Sequence, residues 1–133
     1  TQDITTITSR LMKALSANSK IRIFGHPTGR LLTKREGIQP VWQTIFSLCK
    51  ERNIALEINA APERLDLPDD LVFEARKKGV KFVINTDSHD ISRMDVMKYG
   101  LTVGIRGWCT KYDILNTIEY PDFAMWLTGK EDI

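Results

Sequence analysis

Histidine and cysteine are both scarce in this chain, with two of each in 133 residues. Cys49 and Cys109 lie far apart and form no C-x-x-C pair, so reduced thiols of a cytoplasmic protein are the reading. No apolar run approaches the roughly 20 residues that cross a bilayer. No charged, apolar, small-residue pattern opens the chain as a secretory signal would. There is no G-x-G-x-x-G and no P-loop, which lowers the nucleotide-binding reading. No Ser-His-Asp order or nucleophile elbow is present either. Low-complexity segments and flexible interdomain linkers are missing. Neither sign of charge dominates: 19 Lys and Arg face 17 Asp and Glu, a net charge of +2, too weak to argue nucleic-acid binding alone. The first residue is Thr1 and not Met, so an excised segment is the expectation.

What is present, 42% hydrophobic and 27% charged residues, is the profile of one soluble domain or a piece of one. The rhythm along it is helix, strand, helix, strand. Ile4, Ile7, Leu11, Met12 and Leu15 share a helical face over residues 4–15. A strand is predicted at 20–25, and a helix at 41–52 with Val41, Ile45, Leu48 and Cys49 as its buried stripe. Pro40 stands at that helix's start, where its missing donor costs nothing. A strand follows at 54–59. Pro68-Asp69-Asp70 opens a helix over 68–78, closed by Lys77 and Lys78 before Gly79. Residues 80–86 read as a strand. Ser92 caps a predicted helix over 92–99, stopped by Gly100, and 101–105 reads as a fourth strand. Thr110 caps a helix over 111–117, and Pro121 opens a last one to about 127. Four short strands between helices imply parallel β/α units with right-handed crossovers. Closure into a barrel or an open doubly wound sheet stays undecided at this level.

The two histidines occupy matching places. His26 ends the run Ile23-Phe24-Gly25, and His89 follows Val83-Ile84-Asn85-Thr86-Asp87-Ser88. In both, an apolar run breaks into a polar, loop-forming cluster, as when a strand's carboxyl end delivers groups into a site. Asp87 and His89, two apart, point to one side of an extended chain. A carboxylate and an imidazole converging there suit zinc, manganese or iron. The bland alternative is that Asp87 caps a turn and His89 is a surface loop residue; the matching position of His26 tips the balance toward a site. Pro27 holds His26 extended and stiffens the turn, and Gly29 supplies a positive φ. Arg30 is placed to clamp a phosphate, or else forms an ordinary surface ion pair. On the next strand Glu57 and Asn59 share a face with Ala55, between the apolar Leu56 and Ile58, and need polar partners there. Arg64, in the following loop, adds a second arginine at the same edge. Cys49 reads as core, and Cys109 has no imidazole nearby in sequence to activate it. Trp42, Trp108 and Trp126 read as packing residues, with Trp108 also placed to line a cleft.

At these residues the chain resembles the PHP (polymerase and histidinol phosphatase) superfamily. More closely, it resembles the carboxyl-terminal half of the PHP domain attached to bacterial and archaeal family X DNA polymerases. The stretches that carry the likeness are Gly25-His26-Pro27-Thr28-Gly29-Arg30-Leu31-Leu32, Ala55-Leu56-Glu57-Ile58-Asn59-Ala60 with Arg64-Leu65-Asp66-Leu67, Thr86-Asp87-Ser88-His89, Tyr99-Gly100 through Arg106-Gly107-Trp108, and Asp113-Ile114-Leu115-Asn116-Thr117. The resemblance implies the second half of a distorted (β/α)7 barrel, with residues 1–133 as a partial PHP domain and no polymerase core. It implies a zinc or manganese cluster to which His26, Asp87 and His89 contribute, with Arg30, Glu57, Asn59 and Arg64 toward the substrate. The implied activity is metal-dependent phosphoester hydrolysis, such as 3′–5′ exonuclease or 3′-end processing in DNA repair. DNA is then the parent's partner, and the other half of the domain a structural one. The family's early H-x-H motif and later His and Glu ligands have no counterpart here, so the site is expected to be incomplete and the isolated chain inactive. A noncatalytic structural or DNA-positioning module and a histidinol-phosphatase-like small-molecule phosphatase are the competing readings. A half-barrel also leaves an open edge, which predicts self-association or an edge covered by the terminal helices.

Overall fold

The computed structural model describes residues 2–128. The helical periods of the sequence form α1 (Ile4–Ser16), α2 (Trp42–Arg52) and α3 (Asp69–Lys77). Asp3 caps α1 by accepting the Thr6 N–H at 2.7 Å, and that bond holds the Asp3 carboxyl below its ordinary pKa. Asn53 ends α2 in the left-handed region. Asp69 and Asp70 sit in the first turn of α3, and Arg76 and Lys77 in its last, each charge matched to the helix dipole. The strands are β1 (Ile23–Phe24), β2 (Ala55–Asn59) and β3 (Phe82–Asn85), paired in parallel in the order β1-β2-β3. The register sets Ile23 opposite Ala55, and Asn59 opposite Asn85. The first strand is far shorter than the 20–25 expected, and among the described residues the sheet has three strands, not four.

The residues read as that fourth strand are helical. Residues 91–96 form a 3-10 turn, with the Ser92 hydroxyl bonded to Asp90 instead of capping a helix, and α4 (Met97–Arg106) runs straight through Gly100. The glycines account for the helix in place of the expected strand. Gly100, Val103, Gly104 and Gly107 are buried while Leu101 and Ile105 are exposed, a helical stripe and not a strand alternation. A Cβ at Gly100 would stand 2.5 Å from Ile84 Cγ2 and 2.9 Å from Ala60 Cβ. Glycine is there so that α4 can lie close on the sheet, at a cost in helix propensity of about 1 kcal/mol. The helix expected at 111–117 is also replaced. Thr110 and Asp113 close a turn, through a 2.8 Å bond from the Thr110 N–H to Asp113 Oδ2, and only Leu115–Thr117 forms a short 3-10 segment. A last helix, α5 (Tyr120–Thr128), follows.

One sheet face, Leu56, Ile58, Phe82 and Ile84, packs with Ile45, Phe46, Cys49, Val72 and Ala75 of α2 and α3 and with Val103 of α4 into the main core. Of the stripe expected on α2, Val41 is exposed and Phe46 takes the buried place. The opposite face is split along its length. Toward the amino ends of the strands, Ala55 and Val83 lie under Leu115 and the fully buried Trp126. Toward the carboxyl ends the same face carries Glu57, Asn59 and Asn85. The outer edge of β3 is closed within the chain. Phe82 N–H donates to the Asp113 carbonyl, and the Asn116 side chain exchanges two hydrogen bonds with the backbone of Ile84, at 2.8 and 2.9 Å. A side-chain amide thus replaces the next strand. Trp42 stacks on Phe46, whereas Trp108 is exposed and packs edge-on against Phe73 of α3.

Candidate functional site

Glu57 is the hub of the polar end of the sheet. Its side chain rises from β2, the central strand, so groups from both neighbouring strands reach it. Oε1 accepts the backbone N–H of His26 at 2.8 Å and the Asn59 amide at 3.1 Å. Oε2 accepts the Asn85 amide at 2.8 Å. These are the partners that a half-buried carboxylate between apolar neighbours requires. Asn59, 1% exposed, passes the link onward: its Nδ2 also donates to Asp87 Oδ2 at 3.2 Å, and its Oδ1 accepts the Ala61 N–H at 3.1 Å. One hydrogen-bonded chain, His26–Glu57–Asn59–Asp87, therefore ties together the carboxyl ends of all three strands.

His26 lies two residues beyond β1, and Asp87 and His89 lie two and four beyond β3. Neither the extended His26 expected before Pro27 nor the extended Asp87–His89 run is present: β3 ends at Asn85, and His26 (φ 26°) and Asp87 (φ 56°) both occupy the left-handed backbone region, which costs a non-glycine residue energy and persists only where surroundings enforce it. His89 Nδ1 lies 2.9 Å from the Asp87 carbonyl oxygen, which fixes its ring against the loop. Arg64 Nε stands 3.9 Å from Asp87 Oδ2, and its Nη1 donates to the Arg30 carbonyl at 3.3 Å. The Arg30 guanidinium points inward: Nε donates to the Arg64 carbonyl at 2.8 Å and Nη2 to the Leu65 carbonyl at 2.5 Å. Outside this group, Arg93 grips both Glu63 oxygens, at 2.7 and 2.8 Å.

The donor types are those of a zinc or manganese site, two imidazoles and a carboxylate. The fit to a complete site fails, because among the described residues no three His, Cys, Asp or Glu side chains are grouped to hold an ion. Among those residues no hydrogen bond engages the His26 ring, His89 Nε2 or Asp87 Oδ1, so all three remain free to bind. Sequence reasoning missed Asp66. It is 0% exposed and accepts the Thr28 and Gly29 N–H groups at 3.0 and 2.9 Å. It stood in the sequence as an acidic residue between the apolar Leu65 and Leu67, inside a stretch that carries the family resemblance, without a role assigned to it.

Fold and site together define an α/β segment whose parallel sheet presents imidazole, carboxylate and guanidinium groups at its strand carboxyl ends. No family model matches the chain. The chain is 40% identical over 121 residues, 91% of its length, to the DNA polymerase/3′-5′ exonuclease PolX of Bacillus subtilis (strain 168). It spans 21% of that protein. Among the described residues no helix is long and apolar enough to cross a membrane.

Proposed function

We propose that this chain is the carboxyl-terminal part of a PHP barrel domain belonging to a family X DNA polymerase, and that its strand-end site serves metal-dependent hydrolysis of phosphoesters at DNA 3′ ends. The observation that carries the reading is the hydrogen-bonded chain from His26 through Glu57 and Asn59 to Asp87. It ties the backbone of His26 and the carboxylate of Asp87, which follow the two outer strands, to the central strand. The likeness to an exonuclease-bearing polymerase supports the substrate class. His26, Asp87 and His89 are the residues that would face zinc or manganese. Glu57 and Asn59 hold their loops, and Arg64 lies nearest to where a phosphate would enter. The remaining donors come from the other half of the domain, so the isolated chain binds metal weakly and hydrolyses nothing.

The failure of three donors to group favours a second reading, a noncatalytic module that positions DNA. Manganese titration followed by nuclear magnetic resonance separates the two. Paramagnetic broadening centred on His26, Asp87 and His89 and saturating only at high manganese supports the metal edge. Broadening elsewhere on the chain, with salt-dependent DNA binding that manganese leaves unchanged, supports the positioning module.

A further inference from the structure

The turn that follows β1 continues into a short finger, residues 31–35. Leu31 and Arg35 form an antiparallel bridge, their backbone groups exchanging bonds at 3.0 and 2.8 Å, and the Lys34 N–H closes the tip on the Leu31 carbonyl at 3.0 Å. Three ties fix the finger to the carboxyl ends of the strands. The Leu32 N–H donates to the Glu63 carbonyl, in the loop after β2, at 2.7 Å, and the Ile38 N–H to the Thr28 carbonyl, in the turn after β1, at 2.8 Å. Arg35 Nε donates to the Gly29 carbonyl at 3.0 Å. The returning chain lies so close on that turn that a Cβ at Gly37 would stand 2.6 Å from Thr28 Cβ.

This fixed loop presents cations to solvent. Lys34 and Arg35 are exposed, and among the described residues neither forms an ion pair. Over residues 28–37, Arg30, Lys34 and Arg35 stand against Glu36 alone. The acidic groups of the neighbouring loops are engaged elsewhere: Glu63 by Arg93, and Asp66 by the Thr28 and Gly29 N–H groups. The strand-end site itself carries the carboxylates of Glu57 and Asp87, which repel a phosphate chain. Cations beside such a site are what draws a polyanion to it. Because the finger is ordered before any ligand arrives, little ordering cost opposes the contact. We propose that the finger holds the phosphate backbone of the nucleotides that precede the DNA 3′ end, with Lys34 and Arg35 each neutralising one phosphate. The proposal rests on the reading that the chain acts at DNA 3′ ends. Neither a metal nor an imidazole takes part in this contact.

The test is binding of a fluorescein-labelled single-stranded oligodeoxynucleotide to the full chain, with chelator present, by anisotropy over a range of salt. On a single strand each neutralised phosphate contributes about 0.7 to the slope of log affinity against log salt. Lys34→Ala/Arg35→Ala should lower the slope by about 1.4 and weaken binding about tenfold or more at about 50 mM salt. Lys20→Ala/Lys50→Ala removes the same charge at the amino ends of the strands, before β1 and at the end of α2, and should leave the slope unchanged. Arg35→Lys keeps the charge, gives up the Nε bond to Gly29 and should keep the wild-type slope. If the finger double variant does not fold, Lys34→Ala alone decides, with a slope lower by about 0.7. Three results overturn the proposal and leave the proposed function standing: unchanged binding in the finger variant, equal losses in the two double variants, or a loss in Arg35→Lys as large as with alanine. A wild-type chain that binds no DNA even at low salt defeats the reading that the chain meets DNA, and the finger contact with it.

Discussion

Replacing Asn116 by alanine reopens the outer edge of β3. Ile84 is 2% exposed, and both its backbone groups on that edge bond to the Asn116 amide. Alanine leaves an N–H and a C=O without partners. An unsatisfied buried polar group costs about 1–3 kcal/mol. Asn116 itself is exposed, so water reaches the vacated place and each loss falls near the low end, about 2–3 kcal/mol in total. Phe82 keeps its bond to the Asp113 carbonyl, so the edge opens at one position and not along its length. Against a typical stability of about 5–15 kcal/mol, the loss is large enough to read from urea unfolding as a lower midpoint at an unchanged slope. Asn116→Asp keeps an acceptor for the Ile84 N–H and loses only the donor, so it falls between the two. An unpaired edge also recruits strands from other molecules, so melting of the alanine variant depends more steeply on concentration than that of the wild type. A variant within about 0.5 kcal/mol of wild type, and monomeric at every dilution, would refute the idea that this amide stands in for a strand.

Gly100→Ala gains about 1 kcal/mol of helix propensity but forces Cβ against Ile84 and Ala60, an overpacking cost of about 1–3 kcal/mol; denaturant unfolding should show a net loss, with α4 shifted off the sheet. Asp69 accepts a 2.6 Å bond from Arg106, which, ahead of their charge attraction, holds the Asp69 carboxyl below its ordinary pKa. A depressed carboxyl contributes stability above its unfolded pKa and loses it as pH falls through the folded value. Arg106→Ala should therefore destabilise at neutral pH, match wild type in strong acid, and return the Asp69 titration to the ordinary range. Burial, and then the Asp113 charge, push the Cys109 thiol up to about 12, so a disulfide reagent at mildly alkaline pH should label it far more slowly in the native chain than in urea, and Asp113→Asn should speed the native reaction.

How far the sequence could be read differs from element to element. Helices α1 to α3 and strands β2 and β3 followed from period, the prolines near two helix starts and, in α3, dipole-matched charges before Gly79, all of them local signals. The stretch after β3 failed because glycine was weighed as a breaker, while tertiary packing used Gly100, Gly104 and Gly107 as a contact stripe. At the site, the places of His26, Asp87 and His89 beyond strand ends were visible, since an apolar run breaking into polar residues marks where a strand stops. Glu57 and Asn59 announced a need for partners without naming them. The inward turn of Arg30 was hidden because its acceptors are backbone carbonyls 34 and 35 residues away, which side-chain identity does not record. Asp66 was hidden for the same reason from the other side, since its donors are backbone N–H groups.

The central claim is that the strand-end residues serve metal-dependent phosphoester hydrolysis, and single-turnover removal of 3′ nucleotides from a labelled DNA primer tests it most directly. The protein to use is the longest natural one that carries this segment, in manganese, as wild type, His26→Ala and Asp87→Ala. On the proposed reading each substitution takes away a metal ligand and with it several kcal/mol of charge stabilisation, so both variants should slow nucleotide removal by about a hundredfold or more. Unchanged removal rates in both variants would contradict the account and place the chemistry elsewhere.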